Sequence, residues 1–203
     1  MESVFIVFSL FKKEKKVLNN NTSDGFVSDK SQALECDRTR IHIRWLTRKD
    51  LDEVVSIHRG CFGQRRSADE FLADLYRRNR VGLVAEYGGR VAGFMVYELT
   101  RTQIRLLNLA VADQARSLNI GRRLVEKLVR KLRCDGRTRV VCEVSERNLA
   151  AQLFLRACGF RATEILHQHY VETLDDAYIM QYRLSGARRT AASRPNGQLQ
   201  KNR

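Results

Sequence analysis

The sequence predicts one α/β domain in which a mixed central β-sheet is flanked by helices. Its 203 residues suit a single core with tails, since a chain of this length rarely builds two full-sized cores. Between residues 41 and 184, strand-like and helix-like patterns alternate. A tight hairpin occurs together with strand–helix–strand crossovers, and that combination requires both antiparallel and parallel strand pairs.

Composition and charge divide the chain into three parts. The apolar fraction of 43% and the charged fraction of 30% exclude a wholly disordered chain and a multi-span membrane protein. We expect residues 1–40 to be a disordered N-terminal extension, 41–184 to be the domain and 185–203 to be a disordered basic tail. The net charge of +14 favours polyanionic partners or phosphorylated ligands.

The domain begins with one predicted strand and two predicted helices. Residues 41–45 alternate as a strand does, and residues 47–60 place apolar side chains at helical spacing after Thr47, a suitable N-cap. A capping-box pattern then opens at Ser67. It predicts a second helix that runs to about residue 79.

A β-hairpin follows the second predicted helix. Residues 81–87 and 90–99 are strand-like runs joined by Gly88-Gly89, which is a strong hairpin signal. Residues 104–111 form a third strand of this group.

Helix and strand patterns alternate again in the second half of the domain. The apolar side chains of residues 121–133 make one stripe of a helix, and the basic side chains occupy its other faces. The remaining patterns predict a strand at 139–144, a helix at 148–157 that stops at Gly159, and closing strands at 160–166 and 177–184.

The junction between the strand at 106–111 and the helix at Gly121 suits an anion. A loop that leads into a helix presents unpaired N–H groups and the positive end of the helix dipole. Arg116, Arg122 and Arg123 add positive charge at this turn, which favours a pyrophosphate. The alternative is an ordinary solvated helix start that binds only water.

The residues of this junction resemble a known family. In the segment 111–122, Arg116, Ile120 and Gly121 fit the acetyl-CoA signature Q/R-x-x-G-x-G/A of the Gcn5-related N-acetyltransferases (GNAT). Asn119 stands where the first glycine of the signature is usual. Asparagine tolerates the left-handed backbone region better than most other residues.

A later segment strengthens the resemblance. Residues 143–160 are similar to the family pattern E-V-x-x-x-N-x-x-A-x-x-L-Y-x-x-x-G-F, and most similar to the bacterial ribosomal-protein-alanine N-acetyltransferases of the RimI type. The resemblance covers about residues 41–184. It implies a GNAT-like domain with acetyl-CoA as acyl donor and no metal.

The resemblance also implies which residues hold acetyl-CoA. The strand residues Leu109, Ala110 and Val111 would offer main-chain groups to the pantetheine arm, and Asn148 would hold the donor near its reactive end. The pyrophosphate would be bound by Arg116, Ser117, Leu118, Asn119, Ile120, Gly121 and Arg122.

Glu143 matches the carboxylate that acts in the family as general base, directly or through water. The chemistry needs such a group, because an N-terminal ammonium has a pKa near ~8 and must lose a proton before it attacks a thioester. The alternative is a strand-end carboxylate that pairs with Arg139 or Arg147.

Leu155 occupies the position at which the family pattern has a tyrosine, the usual general acid for the departing thiolate. Leucine cannot donate a proton. Three consequences are open: water protonates the thiolate, another residue substitutes, or the protein binds acyl-CoA with little turnover. Tyr170 is the best substitute, and its alternative role is that of a partly buried strand-end tyrosine.

The acceptor implied by the resemblance is a primary amine, first the N-terminal alanine of a ribosomal or similar protein. The alternatives are a small amine, a lysine, or a low-turnover acyl-CoA-binding module. In each case the basic tail 185–203 is a candidate for contact with the ribosome or RNA.

The cysteines and the apolar N-terminal run bear on location. The five cysteines are scattered and include no C-x-x-C pair, which predicts reduced thiols and a cytoplasmic protein without a zinc site. None of His42, His58, His167 and His169 has metal-ligand spacing to a cysteine, so we interpret all four as structural or surface groups. The run 4–11 is too short to cross a bilayer and lacks the order of a secretory signal.

Overall fold

A single seven-stranded sheet forms the centre of the protein, in the order β1-β2-β3-β4-β5-β7-β6. The computed structural model describes residues 40–62, 67–134, 136–171 and 173–184. The strands are β1 (His42–Trp45), β2 (Arg80–Tyr87), β3 (Arg90–Leu99), β4 (Gln103–Val111), β5 (Arg139–Ser145), β6 (Arg161–Tyr170) and β7 (Asp175–Arg183). The helices are α1 (Leu51–Phe62), α2 (Ala68–Leu75), α3 (Ile120–Cys134) and α4 (Leu149–Ala157).

The pairing of the strands is mixed. Strands β4 and β5 are parallel, and the other neighbouring pairs are antiparallel. The predicted α/β class with a mixed sheet is therefore confirmed. Among the described helices, none is both long and apolar enough to cross a membrane.

Helices cover the two faces of the sheet. On one face α3 and α4 bury Leu124, Leu128 and Leu155 in the larger apolar core. On the other face α1 and α2 pack Val54 and Phe71 over the half of the sheet made by β2, β3 and β4. The middle of the sheet is therefore buried from both sides, and β4 lies in this buried middle.

The predicted starts of the first two helices agree with the structure. Thr47 forms a capping box with Asp50 at a short 3-10 turn that leads into α1, and Ser67 forms one with Glu70 at the start of α2. Helix α2 ends at Leu75, earlier than the predicted residue 79. Asn79, with a φ of 70°, lies in the turn that leads from the helix into β2.

The hairpin prediction also agrees, since Gly88 and Gly89 have φ values of 63° and 76° between β2 and β3, as a type I′ turn requires. Strand β6 is longer than predicted and ends at Tyr170 rather than at residue 166. The predicted extension 1–40, apart from Arg40, and the predicted tail 185–203 lie outside the described residues.

Candidate active site

Strands β4 and β5 pair along only part of their length. Their parallel register joins Gln103–Arg105 to Arg139–Val141, although β4 continues to Val111 and β5 to Ser145. Beyond these pairs the two strands separate. The main-chain groups of β4 that face β5 are then open to a ligand in extended form, as an unpaired strand edge is.

The loop after β4 turns into α3 through two left-handed residues. Ser117 has a φ of 75° and Asn119 a φ of 60°, and the Arg123 N–H donates to the Asn119 carbonyl at 3.0 Å as α3 begins. Asn119 thus adopts the conformation that a glycine would adopt there without strain. The 15-residue helix α3 directs its positive end at this loop.

Arg116 and Val111 have protein partners at the same junction. The Arg116 guanidinium contacts the Asp113 carboxylate and lies 4.0 Å from the Cys61 sulfur. The Cys61 thiol donates to the Val111 carbonyl at 3.5 Å, and burial raises the pKa of that thiol. Cys61 is therefore a protonated donor that supports the end of β4.

Glu143 lies on β5 two residues beyond the last residue that pairs with β4. Its Oε1 accepts from Arg105 Nη2 at 3.0 Å, and its Oε2 lies 3.0 Å from His169 Nε2. The Glu143 side chain is 13% exposed and that of His169 is 25% exposed. The carboxylate is thus held between a fixed cation and an imidazole at the point where the strands part.

This arrangement differs from the alternative that the sequence left open. Glu143 pairs with neither Arg139 nor Arg147, since its partners are Arg105 and His169. Arg147 instead lies 2.7 Å from the Asp175 carboxylate.

Tyr170 follows His169 at the end of β6 and is 5% exposed. The two rings meet edge to face with centroids 5.1 Å apart. Burial, followed by the negative charges of Glu143 and Asp175, raises the pKa of the Tyr170 phenol to about 12. The phenol is therefore protonated at physiological pH and retains a proton that it can donate.

Two further predicted positions have structural roles. Asn148 is the N-cap of α4, and its side chain accepts from the Ala151 N–H at 3.1 Å. Leu155 is fully buried in the larger core. The side chain that replaces the family's tyrosine is thus a packing residue.

Sequence reasoning missed Arg105 and the role of His169. Arg105 belongs to the strand before the anion-binding junction, and no local pattern distinguishes it from the other arginines. The sequence placed His169 among the structural or surface groups, whereas the structure brings it against Glu143. The described residues contain no cluster of three or more His, Cys, Asp or Glu side chains that suits a metal ion.

Comparisons with known proteins identify the family. The acetyltransferase (GNAT) family model matches residues 51–160. An uncharacterized N-acetyltransferase of Methanocaldococcus jannaschii is 30% identical over 139 residues, 68% of this chain and 88% of that protein. A candidate [ribosomal protein bS18]-alanine N-acetyltransferase of Bacillus subtilis is 24% identical over 144 residues, 70% of this chain and 95% of that protein. The chain belongs to the acetyltransferase (GNAT) family.

Solved structures agree in fold. The ribosomal-protein-S18-alanine N-acetyltransferase of Escherichia coli superposes with a TM-score of 0.65 at 24% identity, over 76% of this chain and all of that one. Arabidopsis thaliana NAA60 in complex with acetyl-CoA superposes with a TM-score of 0.63 at 19% identity, over 71% of this chain and all of that one.

The protein is an acetyl-CoA-dependent N-acetyltransferase of the GNAT type. Its residues fit the acyl donor, because the separated strands offer main-chain hydrogen bonds to an extended arm and the start of α3 offers N–H groups to phosphates. The strand residues 109–111 and the loop and helix residues 116–122 are the candidates to hold it.

Proposed function

We propose that this enzyme acetylates the N-terminal amine of a protein, with the N-terminal alanine of a ribosomal or similar protein as the acceptor class. The observation that carries the proposal is the position of Glu143, a largely buried carboxylate where β4 and β5 part. The names of the Bacillus subtilis and Escherichia coli relatives support the choice of acceptor.

In the proposed reaction acetyl-CoA supplies the acetyl group as a thioester, which the neutral amine attacks. The protein must therefore remove one proton from an ammonium group, and Glu143 is the base that the site provides. Tyr170 is the proposed proton donor to the departing thiolate, in place of the tyrosine that Leu155 replaces. As the amide forms, the nitrogen gives up its second proton, which restores the Tyr170 phenol. The residues 109–111, 116–122 and Asn148 are proposed to position the donor.

The test is an intact-mass and thiol-release assay of the full chain with acetyl-CoA and three acceptor sets: alanine-starting peptides, lysine peptides with blocked N-termini, and small amines. We expect acetylation of the alanine-starting peptides. Glu143→Gln should lower kcat by ~10²–10⁴-fold, the usual contribution of a general base.

The matched control is Glu146→Gln, which removes a carboxylate three residues further on, where the Glu146 side chain accepts from the Asp176 backbone N–H at 3.2 Å. This variant should keep wild-type kcat. Turnover of lysine peptides or small amines alone would replace the proposed acceptor class.

A second candidate function is that of an acyl-CoA-binding module with little turnover, and the burial of Leu155 at the tyrosine position favours it. Binding of acetyl-CoA without acetylation of any amine, at any pH, would support that candidate. Contact of the tail 185–203 with RNA or the ribosome stays a prediction, as does a cytoplasmic location, which the four free thiols among the described residues support.

A further inference from the structure

The Glu143 carboxylate has a hydrogen-bond partner on each oxygen. Arg105 Nη2 donates to Oε1 at 3.0 Å, and His169 Nε2 lies 3.0 Å from Oε2. A guanidinium is protonated at every pH at which proteins fold, so it donates and never accepts. Arg105 therefore needs Oε1 as an acceptor, which the ionised carboxylate supplies.

An ionised carboxylate determines which imidazole nitrogen carries the proton. Both oxygens of ionised Glu143 are acceptors only, so His169 Nε2 must be the N–H donor of the 3.0 Å contact. In a neutral imidazole the other nitrogen then has a lone pair. That nitrogen is Nδ1, on a side chain that is 25% exposed.

We propose that His169 Nδ1 takes the proton from the acceptor amine, and that Glu143 holds the imidazole in the required tautomer and orientation. The inference rests on the proposed amine acetylation and deepens it, since the Glu143–His169 pair rather than Glu143 alone then acts as the base. In this step an N–H bond of the ammonium breaks, its electron pair stays on the amine nitrogen, and an N–H bond forms at Nδ1. The resulting imidazolium is stabilised by the negative charge of Glu143.

Charged and titratable groups near the Glu143–His169 pair lie on β3, β4, β5 and β7 as well as on β6 itself. The β7 group is Asp175, which pairs with Tyr170 in the sheet. Glu143 on β5 contacts His169, and Arg105 on β4 contacts Glu143. Glu98 on β3 lies 3.9 Å from Arg105. Tyr170 adjoins the ring on β6. The hydrogen-bond partner of the ring is Glu143, so the carboxylate is the group that fixes its protonation pattern.

The strand itself provides a matched control. His167 lies two residues earlier on β6, and its Nδ1 is 2.9 Å from the Asp176 carboxylate. The His167 side chain is 78% exposed, and its carboxylate partner is Asp176 rather than Glu143. His167→Gln thus removes a second histidine–carboxylate pair of the same strand without altering the Glu143 site.

The first measurement is independent of activity and uses the full chain labelled with ¹⁵N-histidine, without acyl donor. The His169 resonances are assigned by their loss in His169→Gln. We expect a protonated, hydrogen-bonded Nε2 and an unprotonated Nδ1 at pH values where the imidazole is neutral. The Nε2 proton should exchange faster with water in Glu143→Gln, and a protonated Nδ1 in the wild type would overturn the proposal.

The second measurement is the pH dependence of kcat/KM for an amine that the wild type acetylates. Wild type and His167→Gln should share an acid limb, because a protonated base cannot take the proton of the amine. His169→Gln should lose that limb, and its kcat should fall by ~10²–10⁴-fold. Added imidazole should raise the rate of His169→Ala in proportion to its concentration.

The outcomes separate the two proposals. An active wild type whose rate and acid limb persist in His169→Gln overturns the role of His169 and leaves amine acetylation intact. A wild type that acetylates no amine overturns the proposed function, and the imidazole tautomer then still decides whether Glu143 holds His169 as inferred. Thermal unfolding of each variant separates loss of the site from loss of the fold.

Discussion

The Tyr170 phenol combines burial with a nearby negative charge. Both effects disfavour the phenolate, so the pKa of Tyr170 lies at about 12. A donor to a thiolate must be protonated when the thiolate departs, and a thiol itself has a pKa near ~8.5. Tyr170 is therefore protonated throughout the working range of pH.

Replacement of this phenol is the corresponding test. Tyr170→Phe should lower kcat by ~10²-fold or more, because the ring is retained and only the donor is removed. Steady-state kinetics from pH 6 to pH 10 checks this, and wild type should show no alkaline limb from Tyr170 in that range. Tyr182→Phe, on β7 against Phe160, is the control. An unchanged kcat in Tyr170→Phe would assign the proton to water.

Asn119 and Leu155 show that two departures from the family pattern have different structural meanings. Asn119 adopts the left-handed conformation with a φ of 60°, so the loop geometry is retained without the usual glycine. Leu155 removes a hydroxyl and is fully buried in the core. The first departure preserves a backbone conformation, whereas the second removes a chemical group.

At the scale of elements, β3, β4 and the start of α3 meet at Gly93. A Cβ on Gly93 would lie 2.9 Å from the Ala110 carbonyl oxygen and 3.1 Å from Ile120 Cγ2. The first distance is shorter than real Cβ contacts, so the backbone of β4 would have to move. The absence of a side chain at Gly93 thus lets β3 support the strand that is proposed to hold acetyl-CoA.

Gly93→Ala should disturb both stability and donor binding. We expect a loss of ~1–3 kcal/mol in the free energy of unfolding, as for an overpacked core, together with weaker acetyl-CoA binding. Urea unfolding and calorimetric titration measure the two effects. Gly60→Ala is the matched control, because a Cβ at this position of α1 has no atom within 4 Å and should stabilise the helix by ~0.5–1 kcal/mol.

The end of β6 contains a bulge that determines where His169 lies. Leu166 pairs with Ala177 and Tyr170 with Asp175, so β6 has two more residues than β7 between these pairs. Gln168, inside this bulge, has a φ of 50°. The bulge redirects the strand, and it is here that His169 reaches Glu143.

At the scale of the whole molecule, Arg44 connects three elements at the β1 edge of the sheet. Its guanidinium binds both oxygens of Asp50 at 2.7 Å and also contacts Glu86, which joins β1, the turn before α1 and β2. The Arg44 hydrogen bonds lower the pKa of Asp50 to about 2 and also lower that of Glu86. Asp50 is buried, with a side chain 6% exposed.

The sign of the resulting pH dependence follows from these lowered values. A carboxyl whose pKa is lower in the folded state adds stability that is fully present above its unfolded pKa and is lost as pH falls through the folded value. For Asp50 the window runs from 3.8 down to about 2. The stability at stake is about 2 kcal/mol for a shift of this size.

We expect Arg44→Met to lose ~1–3 kcal/mol of stability at pH 7, because Asp50 is left buried without its cation. The variant should then lose less stability than wild type between pH 5 and pH 2. Urea unfolding at a series of pH values measures both effects, and Arg48→Met, at an exposed site in the same turn, is the control. Parallel acid curves for wild type and Arg44→Met would contradict the assignment.

The sequence alone determined the class of the fold, most element boundaries and the identity of the family. These depend on local information: hydrophobic spacing, the caps at Thr47 and Ser67, the Gly88-Gly89 turn and two motifs. Glu143 and Tyr170 were also named from the sequence, because they lie in or near the second motif.

Only the tertiary structure decided which side chains meet. Arg105 and Glu143 are 38 residues apart, and His169 follows 26 residues after Glu143. Their contact depends on where β4 and β5 stop pairing and on a two-residue bulge in β6. Strand register and bulges are set by long-range packing, since a shift of one residue turns every side chain to the other face. For that reason Glu143 could be named from the sequence as a candidate base, whereas its partners could not.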